Sequence, residues 1–163
     1  MFIKFFIFLI SISIGLVAQT YQFSEERYSD ALDRTLKLQG KITFAQDALN
    51  IEYDNSSKTI AYKSGELLLQ ENGKIVEVSE QEIENIGQYF ELLLLLYKGD
   101  QTQLQEQFKI VDKGNTTELL PKENLKNYLD AIYLQRLKKQ LQRVEFFLTN
   151  KDTIAITIEN EIH

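Results

Sequence analysis

A hydrolytic triad or a metal centre needs a histidine, a cysteine or a converging set of carboxylates. This chain has one histidine, His163, which is its last residue, and no cysteine at all. A terminal side chain is poorly held for proton transfer. Carboxylates cluster at Glu25-Glu26, at Glu80, Glu82 and Glu84, and at Glu159 and Glu161. A glycosidase needs two such groups at a fixed separation, yet each of these lies on a charged stretch that reads as solvated. No glycine-rich loop could cradle a phosphate. Asn55-Ser56-Ser57 and Asn115-Thr116-Thr117 match a glycosylation acceptor, but both sit where turns are expected, and turn chemistry explains them. The sequence therefore predicts a non-enzyme with no catalytic residues, no metal and no cofactor.

One basic cluster stands out, Arg136-Leu137-Lys138-Lys139 with Arg143. It reads as a solvated turn, or as a docking patch for an acidic partner or anionic lipid headgroups. The formal net charge is −6, and an acidic chain repels phosphate backbones, so nucleic acid is excluded as a partner.

Residues 1–18 read as a signal peptide: Met1-Phe2-Ile3-Lys4 gives a positive start, residues 5–17 an apolar core, and Ala18 a small residue at the cut. That core is shorter than the roughly 20 residues that span a bilayer. Export with cleavage near Ala18 is expected, leaving one domain over residues 19–163. With no cysteine, an exported domain of this kind gains no disulfides and depends on packing.

Behind the leader the chain alternates apolar and polar residues in short runs. Asn72-Gly73, Gly114-Asn115, residues 54–58 and residues 149–152 each separate two such runs, the form of an antiparallel meander. Residues 25–38 suit either a short helix or an edge strand. Residues 40–44, 49–53, 60–62, 67–69 and 74–78 read as strands. Alternation puts Ile42, Phe44, Leu49, Ile51, Tyr53, Ile60, Tyr62, Leu67 and Leu69 on one side of one sheet. Ser79-Glu80-Gln81-Glu82 is a capping box. It opens a helix over residues 83–97 that Gly99 ends, with a second short helix over residues 102–107. Leu92 to Leu96 are five consecutive leucines, and a helix apolar on nearly all sides is buried on nearly all sides. It is expected inside a curved sheet. Residues 108–111, 116–120, 143–148 and 153–159 complete the strands, with Pro121 stopping one of them. Residues 125–141 permit a helix or a strand.

Taken in order, these segments resemble the LolA-like outer-membrane lipoprotein carriers, and among them a subgroup found beside aryl-polyene and acyl-lipid biosynthesis genes. Phe23-Ser24-Glu25-Glu26-Arg27-Tyr28, then Leu32 and Gly40-Lys41-Ile42-Thr43-Phe44, are similar to that family's opening pattern. Leu93 to Gly99-Asp100, with Leu104 and Phe108, are similar to its helix and Gly-Asp passage. Leu119-Leu120-Pro121, Ile132-Tyr133-Leu134 and Lys151-Asp152-Thr153 match its later strands and final hairpin.

The resemblance implies an α+β fold: an open, strongly curved antiparallel sheet, a half-barrel with helices on its concave side, and a strand at residues 129–135. It implies a periplasmic, monomeric carrier of the acyl chains of a lipoprotein or lipid. The implied partners are an inner-membrane release complex and an outer-membrane acceptor. The implied lipid-binding residues are Phe44, Leu49, Ile51, Tyr53, Tyr62, Leu67, Leu69, Phe90, Leu93 and Leu94. Two departures are visible. Almost nothing separates the leader from Phe23, where the family has a helix. Gln46-Asp47 stands where better-known members have Arg-Pro, whose arginine helps control opening. The alternative reading is an exported interaction domain that binds a protein through a sheet edge.

Overall fold

The computed structural model describes residues 18–163; the expected leader, apart from Ala18, lies outside them. Eleven strands form a single antiparallel sheet. The first six run as a meander: β1 (Gln19–Ser29), β2 (Arg34–Phe44), β3 (Ala48–Tyr53), β4 (Lys58–Lys63), β5 (Glu66–Glu71) and β6 (Lys74–Ile75). Helices α1 (Glu80–Lys98) and α2 (Gln101–Gln107) follow. The chain then returns through β7 (Phe108–Asp112), β8 (Thr117–Pro121), β9 (Leu129–Leu137), β10 (Gln140–Leu148) and β11 (Thr153–Ile162). The order across the sheet is β6-β5-β4-β3-β2-β1-β11-β10-β9-β8-β7. Two meanders thus join at the β1–β11 pair, and the helices carry the chain from one edge to the other.

Turn chemistry sets the hairpins where alternation places them. Asn72 and Gly73 both adopt positive φ, 54° and 71°, the mirror-image turn that matches the twist of the strands it joins. Pairing then carries the apolar pattern across the sheet. Ile42, Ile51, Ile60 and Leu69 lie opposite one another in successive strands, as do Phe44, Leu49, Tyr62 and Leu67. The far wing continues this face with Ile156, Val144 and Leu134, and with Ile154, Phe146, Ile132 and Leu119.

The sheet curls around α1. Tyr89 and Phe90 are neighbours on the helix, yet the Tyr89 ring packs edge-on against Phe146 of β10 at 5.2 Å. The Phe90 ring meets Tyr62 of β4 at 6.4 Å. In the sheet β4 and β10 lie five strands apart, roughly 24 Å in a flat sheet. Only strong curvature brings both to one helical turn. Register shifts between Tyr21 and Phe23, and at two places along the β9–β10 pair, are sites where a strand bends and twists further.

Ser79 caps α1 as its sequence requires. Its side chain accepts from the Glu82 N–H, while the Glu82 carboxylate accepts from the Ser79 N–H at 3.0 Å. Gly99 closes the helix with φ 66°, a conformation glycine adopts without Cβ strain. From Leu92 to Leu96 every residue is buried. The first two turns, by contrast, are exposed on most sides.

Two expectations change and one open choice is decided. Residues 25–38 are neither a helix nor an edge strand: they form most of the β1–β2 hairpin at the centre of the sheet. Their charged residues suggested exposure, but the pairing of central strands is backbone chemistry that tolerates them. Residues 74–78 shrink to a two-residue strand, because the chain must turn early towards the cap at Ser79. Residues 125–141, left open between helix and strand, follow the implied strand: a short 3-10 helix (Glu123–Asn127) runs into β9, and β10 begins at Gln140. Strand pairing on both sides there overrides helical propensity.

Gly40 is held by a close approach. It faces Tyr53 across the β2–β3 pair and Phe23 across the β1–β2 pair, and the Phe23 and Tyr53 rings meet edge-on at 5.8 Å. A Cβ on Gly40 would stand 2.0 Å from the Glu52 carbonyl oxygen. Gly40→Ala is therefore expected to cost about 2 kcal/mol, because two paired strands must separate. A urea melt checks this, and an unchanged midpoint would contradict it.

Candidate functional site

The concave face has an apolar floor and one helix for a cover. Phe44, Leu49, Ile51, Tyr62, Phe90, Leu93 and Leu94 are all in the buried core, with Tyr53 and Leu67 packed against it; Leu69 is half-buried. The resemblance implies this same set as the lipid-binding lining, and the structure brings it together on the two sides of the sheet–helix contact. In this state the groove is filled by α1. Among these residues, Tyr62 and Leu94 border a cavity of about 700 Å³, which they share with Leu95, Gln103, Leu125 and Tyr128.

The helix is fastened mainly at its C-terminal end. Tyr97 stacks on Phe44 with ring centres 3.7 Å apart, and its hydroxyl donates to Gln19 and meets the Tyr21 hydroxyl. Burial, then the hydrogen bond to Tyr21, holds the Tyr97 phenol above its ordinary pKa. The Arg136 guanidinium donates to the Leu96 carbonyl, one of the last-turn acceptors that the helix itself leaves unpaired. Part of the basic cluster is therefore a helix cap.

Beneath the other half of α1 lies a buried polar group. Glu25 is 1% exposed. Its Oε1 accepts from Arg27 Nε at 2.8 Å and its Oε2 from the Tyr53 hydroxyl at 3.0 Å. Arg27 Nη2 also donates to the Tyr53 oxygen at 3.0 Å. Burial works against the Arg27 charge, but the adjacent Glu25 carboxylate outweighs it and holds the guanidinium pKa above its usual range. Burial, then the Glu25 charge, likewise raises the Tyr53 phenol. The Tyr89 hydroxyl from α1 is buried close by without a hydrogen bond of good geometry. Burial and the Glu25 charge push its pKa well above the phenol value. Contrary to the sequence reading, Glu25 is not on a solvated stretch. Its inward position follows from alternation with Tyr21 and Phe23 along β1, a signal the short run after the leader obscured.

Two further cavities flank this group. One of about 420 Å³ lies between α1 and the β9–β11 wing, lined by Tyr89, Leu92, Leu129, Phe146, Leu148 and Ile154 among others. Another, of about 450 Å³, sits at the turn end of the β1–β2 hairpin between Arg27, Leu32, Arg34 and Leu36. Both include Leu148 and Ile154 in their walls, so the two meet there. At the outer mouth Leu32 and Leu36 are 74% and 51% exposed. Apolar side chains thus line adjoining cavities at the hairpin turn and on the underside of α1. Each volume falls within the roughly 300–1,000 Å³ typical of small-ligand sites. No group of three or more metal-ligating side chains converges among the described residues, and His163 is exposed.

No family model matches the sequence, and no curated protein does. Among solved structures, a LolA superfamily protein from Nitrosomonas europaea superposes with a TM-score of 0.41 at 7% identity, over 88% of this chain and 84% of that one. An outer membrane lipoprotein-sorting protein domain from Vibrio parahaemolyticus gives 0.42 at 8% identity, over 89% and 84%. At these values the likeness extends to no individual residue.

Proposed function

We propose that the protein is an exported periplasmic carrier whose domain, residues 19–163, shelters the acyl chains of a lipoprotein or lipid between the concave sheet face and α1. The observation that carries this reading is the cavity beneath α1, walled by Leu92, Leu129, Phe146, Leu148 and Ile154, the last two of which also line the cavity at the hairpin turn. An acyl chain gains about 0.8 kcal/mol for each buried CH₂, so an apolar corridor with a movable cover is enough to carry one through water. The cover can move because its fastenings are one-sided: Tyr97, Arg136 and five buried leucines at one end, exposed turns at the other. Longer chains would then lift the exposed N-terminal turns of α1 while the Tyr97–Phe44 anchor stays in place. In this scheme a monomer takes its cargo from an inner-membrane release complex and delivers it to an outer-membrane acceptor.

The sheet edges favour this reading over strand addition to a partner. One edge strand, β6, has two residues, and the other, β7, has five, with Lys109 as its second residue and Asp112 as its last. Short, charged edges are how proteins discourage such pairing. The test is a native mass spectrum of the protein taken from its own periplasm. A bound species with the mass of a lipid or acylated peptide is expected. Uniformly empty protein would contradict the proposal.

A further inference from the structure

The β9–β10 turn uses residues that its geometry disfavours. Lys138 and Lys139 both adopt positive φ, 49° and 72°. The same geometry at the β5–β6 turn is taken by Asn72 and Gly73, at 54° and 71°. Asparagine and glycine are the usual choice for this turn because longer side chains strain at positive φ. Strain kept at an exposed position is a pointer to function. Beside the two lysines, Leu137 is 63% exposed, so a large apolar side chain and two cations share the tip.

The tip is also braced. Arg136, at its base, donates to the Lys139 carbonyl at 3.3 Å and to the Leu96 carbonyl, and its guanidinium packs over Gly99. Neither lysine forms an ion pair among the described residues, and Glu159 and Glu161 follow on the neighbouring strand β11. Asp47 pairs with Lys98 at 3.2 Å, and Asp100 caps α2 through the Thr102 and Gln103 N–H groups. Lys138 and Lys139 thus carry their charge to the tip without a direct ion pair, on a protein whose net charge is −6.

We propose that Leu137-Lys138-Lys139 is a docking finger for a membrane surface bearing anionic lipid headgroups. The lysines meet the headgroup phosphates while Leu137 enters the interface, a pairing of charge and apolar area that suits the bilayer boundary. Arg136 links the finger to the C-terminal anchor of α1, so docking bears on the element that covers the cavity. This surface is separate from the cavity, and the two proposals can fail independently.

Sedimentation with vesicles of phosphatidylcholine, with and without phosphatidylglycerol, tests the finger. The protein is expected to pellet with the anionic vesicles alone, less so as salt is raised. Lys138→Asn combined with Lys139→Gly is the decisive variant. It installs the favoured turn residues, so the melting temperature should rise, while vesicle affinity falls roughly thirtyfold with the loss of two cations. Leu137→Ser should weaken binding without unfolding. A more stable double variant that still binds fully would overturn the proposal, as would equal binding to neutral vesicles. Retention on an acidic protein without vesicle binding would overturn it too, in favour of a protein partner.

Discussion

Leu93→Asp is expected to lower stability by more than about 4 kcal/mol, enough to unfold a domain of ordinary stability. Leu93 is fully buried at 0% exposure on the embedded half of α1. Truncating such a leucine to alanine already costs about 2–5 kcal/mol. The aspartate adds a charge to a helix position within the apolar core cluster. The position also separates two views of α1. If the helix is a seated cover, its fastened half must be as intolerant as a core strand. Ile83→Asp, on the exposed first turns at 40% exposure, should change stability by less than about 0.5 kcal/mol. Urea melts of both variants check the pair, and equal tolerance at the two positions would remove the asymmetry on which opening depends.

Arg27→Leu is the second large effect, at about 3 kcal/mol. It removes the cation that compensates Glu25 and strands a carboxylate that is 1% exposed. Breaking a buried pair from one side typically costs about 3–5 kcal/mol; the lower end applies because the Arg27 side chain is itself 43% exposed. The double variant Glu25→Leu, Arg27→Leu should recover at least half of that loss, since well-packed apolar residues replace buried pairs at little cost. Additive losses in the double variant would mean that the two side chains do not act as a unit.

Much of the architecture can be read from local chemistry. Alternation from Ile42 to Leu69 places one face correctly through four strands, because a period of two leaves no freedom once the turns are set. The capping box at Ser79 and the run from Leu92 to Leu96 locate α1 and bury its second half. Residues 129–135 divide helix from strand only through their neighbours: Ile132 lies between Phe146 and Leu119, and nothing local announces those partners. The inward Glu25 is masked for a different reason. Charged residues on both sides of it, Glu26 and Arg27, make β1 look solvated, although only the alternate positions are.

The cavities are harder still. The volume of the one beneath α1 depends on how far the helix stands from the β9–β11 wing, where Tyr89 packs on Phe146. No periodicity in either segment encodes it. The outward turn residues Lys138 and Lys139 are legible as a basic cluster, but their strain shows only in the backbone angles.

The carrier account stands or falls on whether the cavity beneath α1 takes an acyl chain. Leu148 lines both this cavity and the one at the hairpin turn and is only half-buried, so Leu148→Trp fills the junction without overpacking the core. The direct measurement is a titration of the folded protein and this variant with a fluorescent fatty acid. The account predicts saturable binding by the wild type, weakened at least tenfold in Leu148→Trp while the melting temperature stays nearly unchanged. A wild type that binds no probe, or a variant that binds it equally well, would contradict the account.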